Sequence, residues 1–448
     1  MRLLPALACF ALLAALAAGC GAPPVAGPDP DLLAAAAQAG PRGRVEALRR
    51  QQERVTGTPF VDGNAVELLR DGPRTLAAMY EAVRSARRSV AVESYQFDAE
   101  EGARFADLLL AKAARGVDVA LIYDAWGSMD APSALFDRLR RGGVRVLAFN
   151  PIGSGDPNRR DHRKLLVVDG AVAVTGGVNL SSVHRNRPGD APGSTDPDEM
   201  AWRDTAVRVR GPAVAQFQHL FQHAWREGGG PPLSAAFAAA PSATAPGATD
   251  AAPGRADRPG NGAPVNGALV QAVDGEPATG RPLMYRSLLS AIGLAQRSVH
   301  LTTGYFVPTP DLARALADAA RRGVDVHVVV PGVSDSTAAV LAGRSHYAAL
   351  LDAGVSIHER RDRVMHAKTA VIDGVWSAVG SSNLDWRSAV HNLELDAVVL
   401  DEGFGRQMEA LFADDVAASR PIDPARWATR PLPRRLGEWG ARLLGYML

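Results

Sequence analysis

The sequence predicts an α/β protein made of two similar domains, and three observations support this class. Apolar residues at helical spacing, as in residues 75–86 and 102–115, alternate with short β-branched runs such as 117–123 and 324–330. Such alternation is typical of sheets with helices packed against them. The other two observations are a duplication within the chain and a stretch rich in Pro, Ala and Gly between its two copies.

The duplication is visible as short segments that recur in the same order. Residues 86–90 (ARRSV) recur as 295–299 (AQRSV), and RGVDV occurs at 115–119 and again at 322–326. Residues 142–146 (GGVRV) correspond to 353–357 (AGVSI), and all offsets lie between 207 and 211 residues. Because order and offset are both kept, we predict one domain at residues 61–227 and a second at 268–430.

The first twenty residues predict export from the cytoplasm. Arg2 precedes an uncharged apolar run, Leu3 to Ala18, which has the length of a secretory signal and is short for a bilayer span. The small residues before Cys20 resemble a bacterial lipoprotein processing box, so Cys20 is the predicted lipidation site. The alternatives are an ordinary signal cleaved near Ala18 or an uncleaved anchor. Each places the protein in the cell envelope beside a membrane, and the lipoprotein would face the periplasm or the outside.

Three further segments lie outside the predicted domains. Residues 21–60 are rich in Ala, Pro, Gly and Arg and predict a tether with one short helix at 45–55. Residues 228–267 bury too little apolar surface to fold alone and predict an interdomain linker. Residues 431–448 mix arginines with Leu, Trp and Tyr, so this tail is either an amphipathic helix on a membrane surface or a helix packed on the second domain.

Composition and charge narrow the functional class. The net charge of the 448 residues is +1, which argues against a nucleic-acid partner held by bulk charge, and none is expected. Both cysteines, Cys9 and Cys20, lie in the leader, so the body of the chain has no disulfide framework. The sequence leaves the oligomeric state open.

One motif occurs in both copies and carries the predicted chemistry. In the first copy, His162 and Lys164 are followed by Asp169-Gly170 and then by a small-residue run that ends at Asn179. The second copy repeats the spacing with His366, Lys368, Asp373-Gly374 and Asn383. The shared pattern is His-x-Lys-x4-Asp-x6-Gly-(Gly/Ser)-x-Asn. A single His-x-Lys would indicate only a solvated surface strand, whereas two matched copies inside a duplication indicate a site.

The spacing predicts two hairpins that present these polar side chains at one end of a sheet. His and Lys two residues apart on a strand point to the same face, and Asp-Gly is a strong signal for a hairpin turn. The returning strands, at 171–175 and 375–379, would end at small residues that let backbone and ligand approach closely. The asparagines would thereby lie beside the histidines and lysines.

Two His, two Lys and two Asn make a site suited to a phosphate. The lysines and asparagines would bind non-bridging oxygens as charge develops in the transition state. One imidazole would attack phosphorus while the other protonates the leaving alkoxide. No metal and no other cofactor is expected, because lysine is not a usual metal ligand and the sequence has no carboxylate cluster of the two-metal type.

At these residues the sequence resembles the phospholipase D superfamily, and the resemblance covers about residues 64–430. It implies two similar domains, each a mixed β-sheet flanked by helices, related by a pseudo-twofold axis with the motifs at the interface. It also implies double displacement through a phosphohistidine, with His162 as the nucleophile and His366 as the general acid and base, or the reverse. Asp169 and Asp373, at the hairpin turns, are expected to be structural.

The resemblance also suggests residues that support the two histidines. Asp204 and Glu394 are candidates for the carboxylates that fix the tautomer and orientation of the imidazoles, and charges at strand edges are the alternative. Which carboxylate pairs with which histidine stays open. Tyr95 and Tyr305 hold equivalent positions and are either walls of the site or core aromatics. The remaining notable histidines are expected to be surface or core residues: His184, His223, His300 and His346.

The second copy is similar to bacterial cardiolipin synthases. The similarity rests on residues 304–308 (GYFVP), 366–369 (HAKT), 380–388 (GSSNLDWRS) and the pair Asn392 and Glu394. It implies transfer of a phosphatidyl group to phosphatidylglycerol, with phospholipid as the substrate and a membrane surface as the partner. The leader and the long linker leave open the donor and acceptor lipids and the side of the membrane. The alternatives are a phospholipase D hydrolase, a phosphodiesterase or nuclease, and a non-enzymatic lipid-binding lipoprotein.

Overall fold

The computed structural model describes residues 41–153, 156, 158–185, 196–197, 200–238, 263–276, 280 and 282–447. The predicted leader with Cys20 and residues 21–40 of the predicted tether lie outside these ranges, as do residues 239–262 of the predicted linker. In the ranges described, each helix is either too short or too polar to cross a bilayer.

The described chain alternates helices and strands in each half. The elements of the first half are α1 (Pro41–Thr56), β1 (Val61–Arg70), α2 (Gly72–Ser85), β2 (Ser89–Ser94), α3 (Glu101–Ala113), β3 (Asp118–Asp124), α4 (Ser133–Arg141), β4 (Arg145–Phe149), β5 (Lys164–Val168), β6 (Val172–Gly176), β7 (Trp202–Arg203), β8 (Thr205–Arg210), α5 (Val214–Glu227) and α6 (Ala235–Ala238). The predicted α/β class is confirmed.

The second half repeats the order of the main-sheet strands, with further short elements both within this order and at its C-terminal end. Its elements are β9 (Val265–Gly275), α7 (Leu283–Leu294), β10 (Ser298–Thr302), α8 (Pro310–Arg321), β11 (Asp325–Pro331), α9 (Thr337–Arg344), α10 (Tyr347–Asp352), β12 (Ser356–Arg360), β13 (Val364–Met365), β14 (Thr369–Ile372), β15 (Trp376–Gly380), α11 (Trp386–Val390), β16 (Glu394–Leu400), α12 (Glu402–Ala417), β17 (Ser419–Pro421), α13 (Pro424–Ala428) and α14 (Leu432–Arg442).

The main sheet has a symmetric strand order. Read outward from its centre, the first half runs β1-β8-β6-β5-β2-β3-β4, and the second runs β9-β16-β15-β14-β10-β11-β12 with β17 at the edge. Strands at the same distance from the centre are therefore equivalent in the two halves, for example β8 and β16 or β5 and β14. At the centre β1 and β9 pair antiparallel, as a twofold relation between equivalent strands requires. The predicted pseudo-twofold arrangement of two mixed sheets is confirmed, with one correction: the sheets are joined edge to edge into a single one of 15 strands.

The two halves also share an apolar core. Strands β6 and β8 contact β15 and β16, and one buried cluster contains Phe217 of α5 and Phe404 of α12, together with Val207 and Val399 from the strands. Helices on the outer faces cover two further cores, one in each half. The halves are therefore joined by apolar packing as well as by backbone hydrogen bonds.

Residues 41–60 correct the predicted tether. The helix expected at 45–55 is present as α1, at Pro41–Thr56, and it packs on α7. Leu48 and Phe60 are buried in the core of the second half, and Gln52 Nε2 donates a hydrogen bond to the carbonyl oxygen of Ser287 at 3.1 Å. The composition suggested a tether because the few apolar residues of this segment find their partners more than 200 residues away.

The beginning of the predicted linker is also folded. Phe237 is 2% exposed and stacks on Phe221, while Trp225 Nε1 donates to the carbonyl oxygen of Pro231 at 2.7 Å. At the other end, Val265 already begins β9. Residues 228–238 therefore belong to the first half, because apolar side chains within an otherwise Pro- and Ala-rich stretch pack against α5.

Candidate active site

Two hairpins position the repeated motifs. Strands β5 and β6 are joined by a turn at Asp169-Gly170, and β14 and β15 by a turn at Asp373-Gly374. The φ angle is 54° at both aspartates, and it is 63° and 68° at the glycines. Positive φ at both central residues is the geometry that Asp-Gly favours in a hairpin. The predicted hairpins are confirmed, with the returning strands one residue later than expected.

The turn aspartates fasten the hairpins to neighbouring strands. The Asp169 carboxylate accepts hydrogen bonds from the backbone N–H groups of residues 87–89 at 2.9, 2.7 and 2.9 Å. The Asp373 carboxylate accepts from the backbone of residues 296–298 at 3.1, 2.7 and 3.0 Å. Each carboxylate therefore holds its hairpin against the start of β2 or β10, where it can satisfy backbone donors but does not line the cleft.

The histidines and asparagines of both motifs meet at one cleft between the halves. The cleft has a volume of about 430 Å³, and His162, Asn179, His366 and Asn383 line it. The lysines stand just behind, since Lys164 Nζ donates to the carbonyl oxygen of His162 at 2.5 Å and Lys368 Nζ donates to that of His366. All six residues are buried. The structure thus brings together the complete set of predicted catalytic residues.

Each histidine is paired with a carboxylate from the other half. His162 Nδ1 lies 2.9 Å from Glu394 Oε2, and His366 Nδ1 lies 2.7 Å from Asp204 Oδ2. Since a carboxylate can only accept, Nδ1 carries the proton in both rings and Nε2 is left for chemistry. The pairing that the sequence left open therefore crosses between the halves.

Backbone contacts between the halves explain the crossed pairing. The His162 N–H donates to the carbonyl oxygen of Leu393 at 2.9 Å, and the His366 N–H donates to that of Arg203 at 2.8 Å. Leu393 directly precedes Glu394, and Arg203 directly precedes Asp204. The backbone hydrogen bond at each histidine therefore places the carboxylate of the other half next to the imidazole ring.

Glycines after the hairpins make room for buried carboxylates. A Cβ on Gly177 would lie 2.1 Å from Asp204 Oδ1, and a Cβ on Gly380 would lie 2.1 Å from Asp396 Oδ1. Both distances are far below van der Waals contact, so a side chain at either position would displace the carboxylate. The sequence suggested that small residues admit a ligand here, whereas the contact found is with a carboxylate.

Burial determines the protonation of the site. Burial lowers the pKa of His162 to about 4, although the neighbouring Glu394 carboxylate opposes this shift, and burial lowers the pKa of Lys164 to about 7. Burial, together with the charges of Lys368 and Lys164, keeps the pKa of His366 well below its usual value. Both imidazoles are therefore neutral at pH 7 in the free site, and their Nε2 lone pairs are available.

The two carboxylates have different environments. Burial would raise the pKa of Glu394, but its interaction with His162, the nearby charge of Lys164 and a hydrogen bond from Ser381 hold that pKa below its usual value. Ser381 and Ser388 add hydroxyl hydrogen bonds to Glu394 at 2.5 and 2.7 Å. Burial raises the pKa of Asp204. Glu394 is thus the more firmly ionised of the two partners.

Comparison with known proteins identifies the family. The family model described as "Cardiolipin synthase, PLD-like domain" matches residues 79–188 and 288–416, one segment in each half. The chain belongs to the cardiolipin synthase family. Its members are phosphatidyltransferases of the phospholipase D type and act on phospholipids. The resemblance noted from the paired motifs is therefore confirmed.

Individual relatives in the cardiolipin synthase family align over most of the chain. Cardiolipin synthase A of Pseudomonas aeruginosa is 34% identical over 398 residues, which are 87% of this chain and 74% of the relative. A cardiolipin synthase of Geobacillus sp. (strain WCH70) is 30% identical over 406 residues, covering 90% and 76%. Among solved structures, phosphatidylserine synthase from Haemophilus influenzae Rd KW20 has a TM-score of 0.64 at 14% identity, covering 90% of this chain and 100% of that chain, which supports the fold alone.

The cleft of this cardiolipin synthase family member has aromatic and basic walls. Tyr95 and Tyr305 both line it, which decides between the two roles that the sequence left open. The Tyr95 ring lies edge-on to His162 with centroids 4.9 Å apart. Sequence reasoning missed Arg160 and Arg387, which also line the cleft. Arg160 lies in a loop and Arg387 in the five-residue helix α11, so neither gave a periodic signal, although Arg387 lies in the segment similar to cardiolipin synthases.

His184 was expected to be an ordinary surface or core histidine. It is fully buried, and its Nδ1 lies 3.5 Å from the Asp204 oxygen that also receives His366. Among the residues described, His184, Asp204 and His366 form the group of ligand atoms that could hold a metal ion, all within 4.8 Å. In the structure His366 Nδ1 already contacts Asp204 Oδ2 at 2.7 Å.

Proposed function

We propose that the protein transfers a phosphatidyl group from one phospholipid to the hydroxyl group of phosphatidylglycerol through a phosphohistidine. The observation that carries this proposal is the meeting of two complete His–Lys–Asn sets, each histidine with its own carboxylate, at a single cleft. Two imidazoles with free Nε2 atoms are what a two-step displacement needs, one as nucleophile and one as acid and base. The family relatives supply the lipid substrate class.

In the first step, His162 Nε2 attacks phosphorus and the bond from phosphorus to the headgroup oxygen breaks. His366 gives its Nε2 proton to the leaving alkoxide. Burial and the charges of Lys368 and Lys164 lower the pKa of His366 in the free site. The negative charge of a bound phosphodiester offsets the repulsion from the two lysines, so proton uptake by His366 accompanies substrate binding. The products are a free headgroup alcohol and a phosphatidyl group on His162.

In the second step, the now neutral His366 removes the proton from the hydroxyl group of phosphatidylglycerol. The oxygen attacks phosphorus, and the bond from phosphorus to His162 Nε2 breaks. Cardiolipin leaves as the product, His366 releases the proton to solvent, and the enzyme returns to its starting state. The lysines and asparagines would bind the non-bridging oxygens in both steps, where charge accumulates in the transition state.

The surroundings of the two carboxylates favour His162 as the nucleophile. A phosphorylated imidazole with a proton on Nδ1 carries a positive charge, which is stabilised best by a firmly ionised partner. Glu394 is that partner, because its pKa is held low and two serine hydroxyls support it. Asp204 has a raised pKa, which suits a residue that supports an exchanging proton on His366.

The test is an assay with the full chain purified in detergent and mixed with phosphatidylglycerol vesicles, with products analysed by mass spectrometry. We expect cardiolipin and free glycerol, and no turnover with either His162→Ala or His366→Ala. Phosphatidic acid as the sole product would replace transfer by hydrolysis. An absence of any lipid product from folded protein, with cleavage of a DNA or simple diester probe, would overturn the lipid assignment.

We also propose that the protein is a lipoprotein of the cell envelope, attached through Cys20 and facing the periplasm or the outside. The support is the leader, whose short apolar run ends in small residues before Cys20. Labelling of cells with a radioactive fatty acid tests this proposal. The full chain should take up the label and Cys20→Ser should not, while label in both would contradict attachment at this cysteine.

A further inference from the structure

Large apolar side chains are exposed in only a few places among the described residues. Eight of them are exposed by 45–63%, and six belong to residues 432–446: Leu432, Leu436, Trp439, Leu443, Leu444 and Tyr446. The other two, Met129 and Ile152, lie in loops of the first half. A soluble protein seldom groups so many apolar side chains in one exposed segment unless that segment binds something.

Helix α14 is packed with its apolar face outward. Leu432, Leu436, Trp439 and Leu443 recur at intervals of four, three and four residues, which places them on one side of the helix. All four are exposed. An ordinary surface helix would turn such a stripe toward the core, so this orientation needs another explanation.

The opposite side of α14 is the one that contacts the protein. Glu438 is 4% exposed, and its carboxylate accepts a hydrogen bond from Arg430 Nε at 3.0 Å. Ala441 packs on a small cluster that includes Val307 and Ala342, the latter in α9. The tail is therefore packed on the second half, as one of the two sequence interpretations held, and this packing leaves the apolar stripe facing outward.

Two cationic side chains flank the apolar stripe. Arg435 and Arg442 are exposed and lie on the same side of the stripe, and neither forms an ion pair within the part of the chain described. Arginines beside an apolar face, together with an interfacial Trp, match the chemistry of a bilayer surface that contains anionic phospholipids. Lipid phosphates would supply the partners that these two arginines lack, whereas a protein partner would have to supply matching carboxylates.

The exposed segment adjoins the cleft. The Tyr446 ring packs on Trp386 and His391, with centroids 5.6 and 5.1 Å apart, and Arg387 between them lines the cleft. In the first half, Met129 follows Trp126 and Gly127 of the cleft wall by two or three residues. Ala441 of α14 also packs on the cluster that contains Ala339, which lines the cleft. The exposed apolar segment is therefore adjacent to residues of the cleft wall.

We propose that α14 and the residues up to Tyr446, together with Met129, form a docking face that lies on an anionic bilayer and sets the cleft at the level of the lipid headgroups. Trp439 and the leucines enter the interface, and Arg435 and Arg442 bind lipid phosphates. The proposal deepens the proposed function by stating how the active site reaches its substrate, but docking is measurable without turnover.

The test compares two triple variants of the full chain in a Cys20→Ser background, which removes any attached lipid. One variant combines Leu436→Ser, Trp439→Ser and Leu443→Ser, and its matched control combines Leu436→Met, Trp439→Phe and Leu443→Met. The measurements are sedimentation with phosphatidylglycerol vesicles and turnover of a short-chain phosphatidylglycerol below its micelle concentration. We expect the serine variant to lose at least ten-fold in vesicle affinity and to keep its turnover of monomeric lipid, while the control keeps both.

A second pair of variants tests the arginines. Arg435→Glu with Arg442→Glu should weaken binding to phosphatidylglycerol vesicles, and the two Arg→Lys changes should preserve it. Unchanged vesicle binding by the serine variant would overturn the proposal, and so would an equal loss of monomeric turnover. A dimer of the parent protein that the serine changes dissociate would assign the face to a second copy instead. Vesicle binding without any transfer would refute the proposed function and leave the docking face standing.

Discussion

His162 Nδ1 lies 2.9 Å from Glu394 Oε2, although the two residues are 232 positions apart and belong to different halves of the chain. His366 and Asp204 repeat this relationship in the opposite direction. Neither half therefore supplies the carboxylate that orients its own motif histidine. The duplication is needed for more than a second histidine, because each half completes the catalytic pair of the other.

The first prediction concerns these carboxylates. Glu394→Gln and Asp204→Asn should each lower kcat by on the order of 10²–10⁴-fold, because an amide no longer selects the Nδ1–H tautomer or stabilises a positive ring. Turnover of short-chain phosphatidylglycerol is the measurement. Glu409→Gln is the matched control, since Glu409 binds His300 Nδ1 at 2.6 Å and does not line the cleft. Equal losses in all three variants would point to a general folding defect.

The second prediction assigns the nucleophile. A phosphatidyl ester of 4-nitrophenol has a leaving group that needs little proton donation. With this substrate His366→Ala should release one nitrophenolate per enzyme and then stop, because the phosphohistidine forms but its resolution lacks a base. His162→Ala should show no burst. A burst with His162→Ala instead would reverse the two roles.

The third prediction is a pH profile. Because burial lowers the pKa of His162 to about 4, kcat/KM should fall below about pH 4 as His162 is protonated. Toward alkaline pH the proton uptake by His366 becomes harder, and the fall should steepen above about pH 7 as Lys164, whose pKa burial lowers to about 7, loses its charge. Lys164→Arg should move the alkaline limb to higher pH, since guanidinium keeps its proton. The test works even if Lys164→Arg is slow, because only the pH at which its rate falls is measured. An unmoved limb would assign it to another group.

The fourth prediction separates the turn aspartates from the chemistry. Asp373→Ala should lower the free energy of unfolding by about 1–3 kcal/mol, because three backbone donors lose their acceptor. Asp373→Asn should cost less, since Asn keeps an acceptor oxygen and tolerates the positive φ. Denaturant unfolding provides the measurement. The folded fraction of both variants should keep its specific activity, and a loss of activity without a loss of stability would make Asp373 part of the reaction.

The fifth prediction compares two adjacent aspartates that join the halves. Asp415 is buried and binds Arg203 Nε and Nη2 at 2.8 Å and Arg360 Nη1 at 2.6 Å. Asp415→Asn should cost about 3–5 kcal/mol because it removes the buried charge that both guanidinium groups share, and leaves Arg203 with the longer contact to Asp71 at 3.4 Å and Arg360 with Asp362 at 2.8 Å. Asp414 binds Arg70 with its own side chain 57% exposed, and Asp414→Asn should cost less than about 1 kcal/mol. Similar costs in denaturant unfolding would show that burial is not the deciding factor.

Local sequence information predicted a large part of the fold and the site. The hairpins follow from Asp-Gly turns, and the convergence of two His–Lys–Asn sets follows from their repeated spacing. The prediction of an unfolded tether and linker was wrong for residues 41–60 and 228–238. The average composition of these segments conceals a few apolar residues whose partners are distant in the chain. Phe60 and Phe237 are such residues, each buried against a helix that the segment's own composition does not reveal.

The sequence by itself determined the duplication, the hairpins and which side chains make up the candidate site, because turn chemistry and strand periodicity act over a few residues. Only the tertiary structure decided that Glu394 serves His162 and Asp204 serves His366, that the two sheets join through β1 and β9, and that α14 turns its apolar face outward. These features depend on which surfaces meet, and that choice is made by packing between segments far apart in the chain.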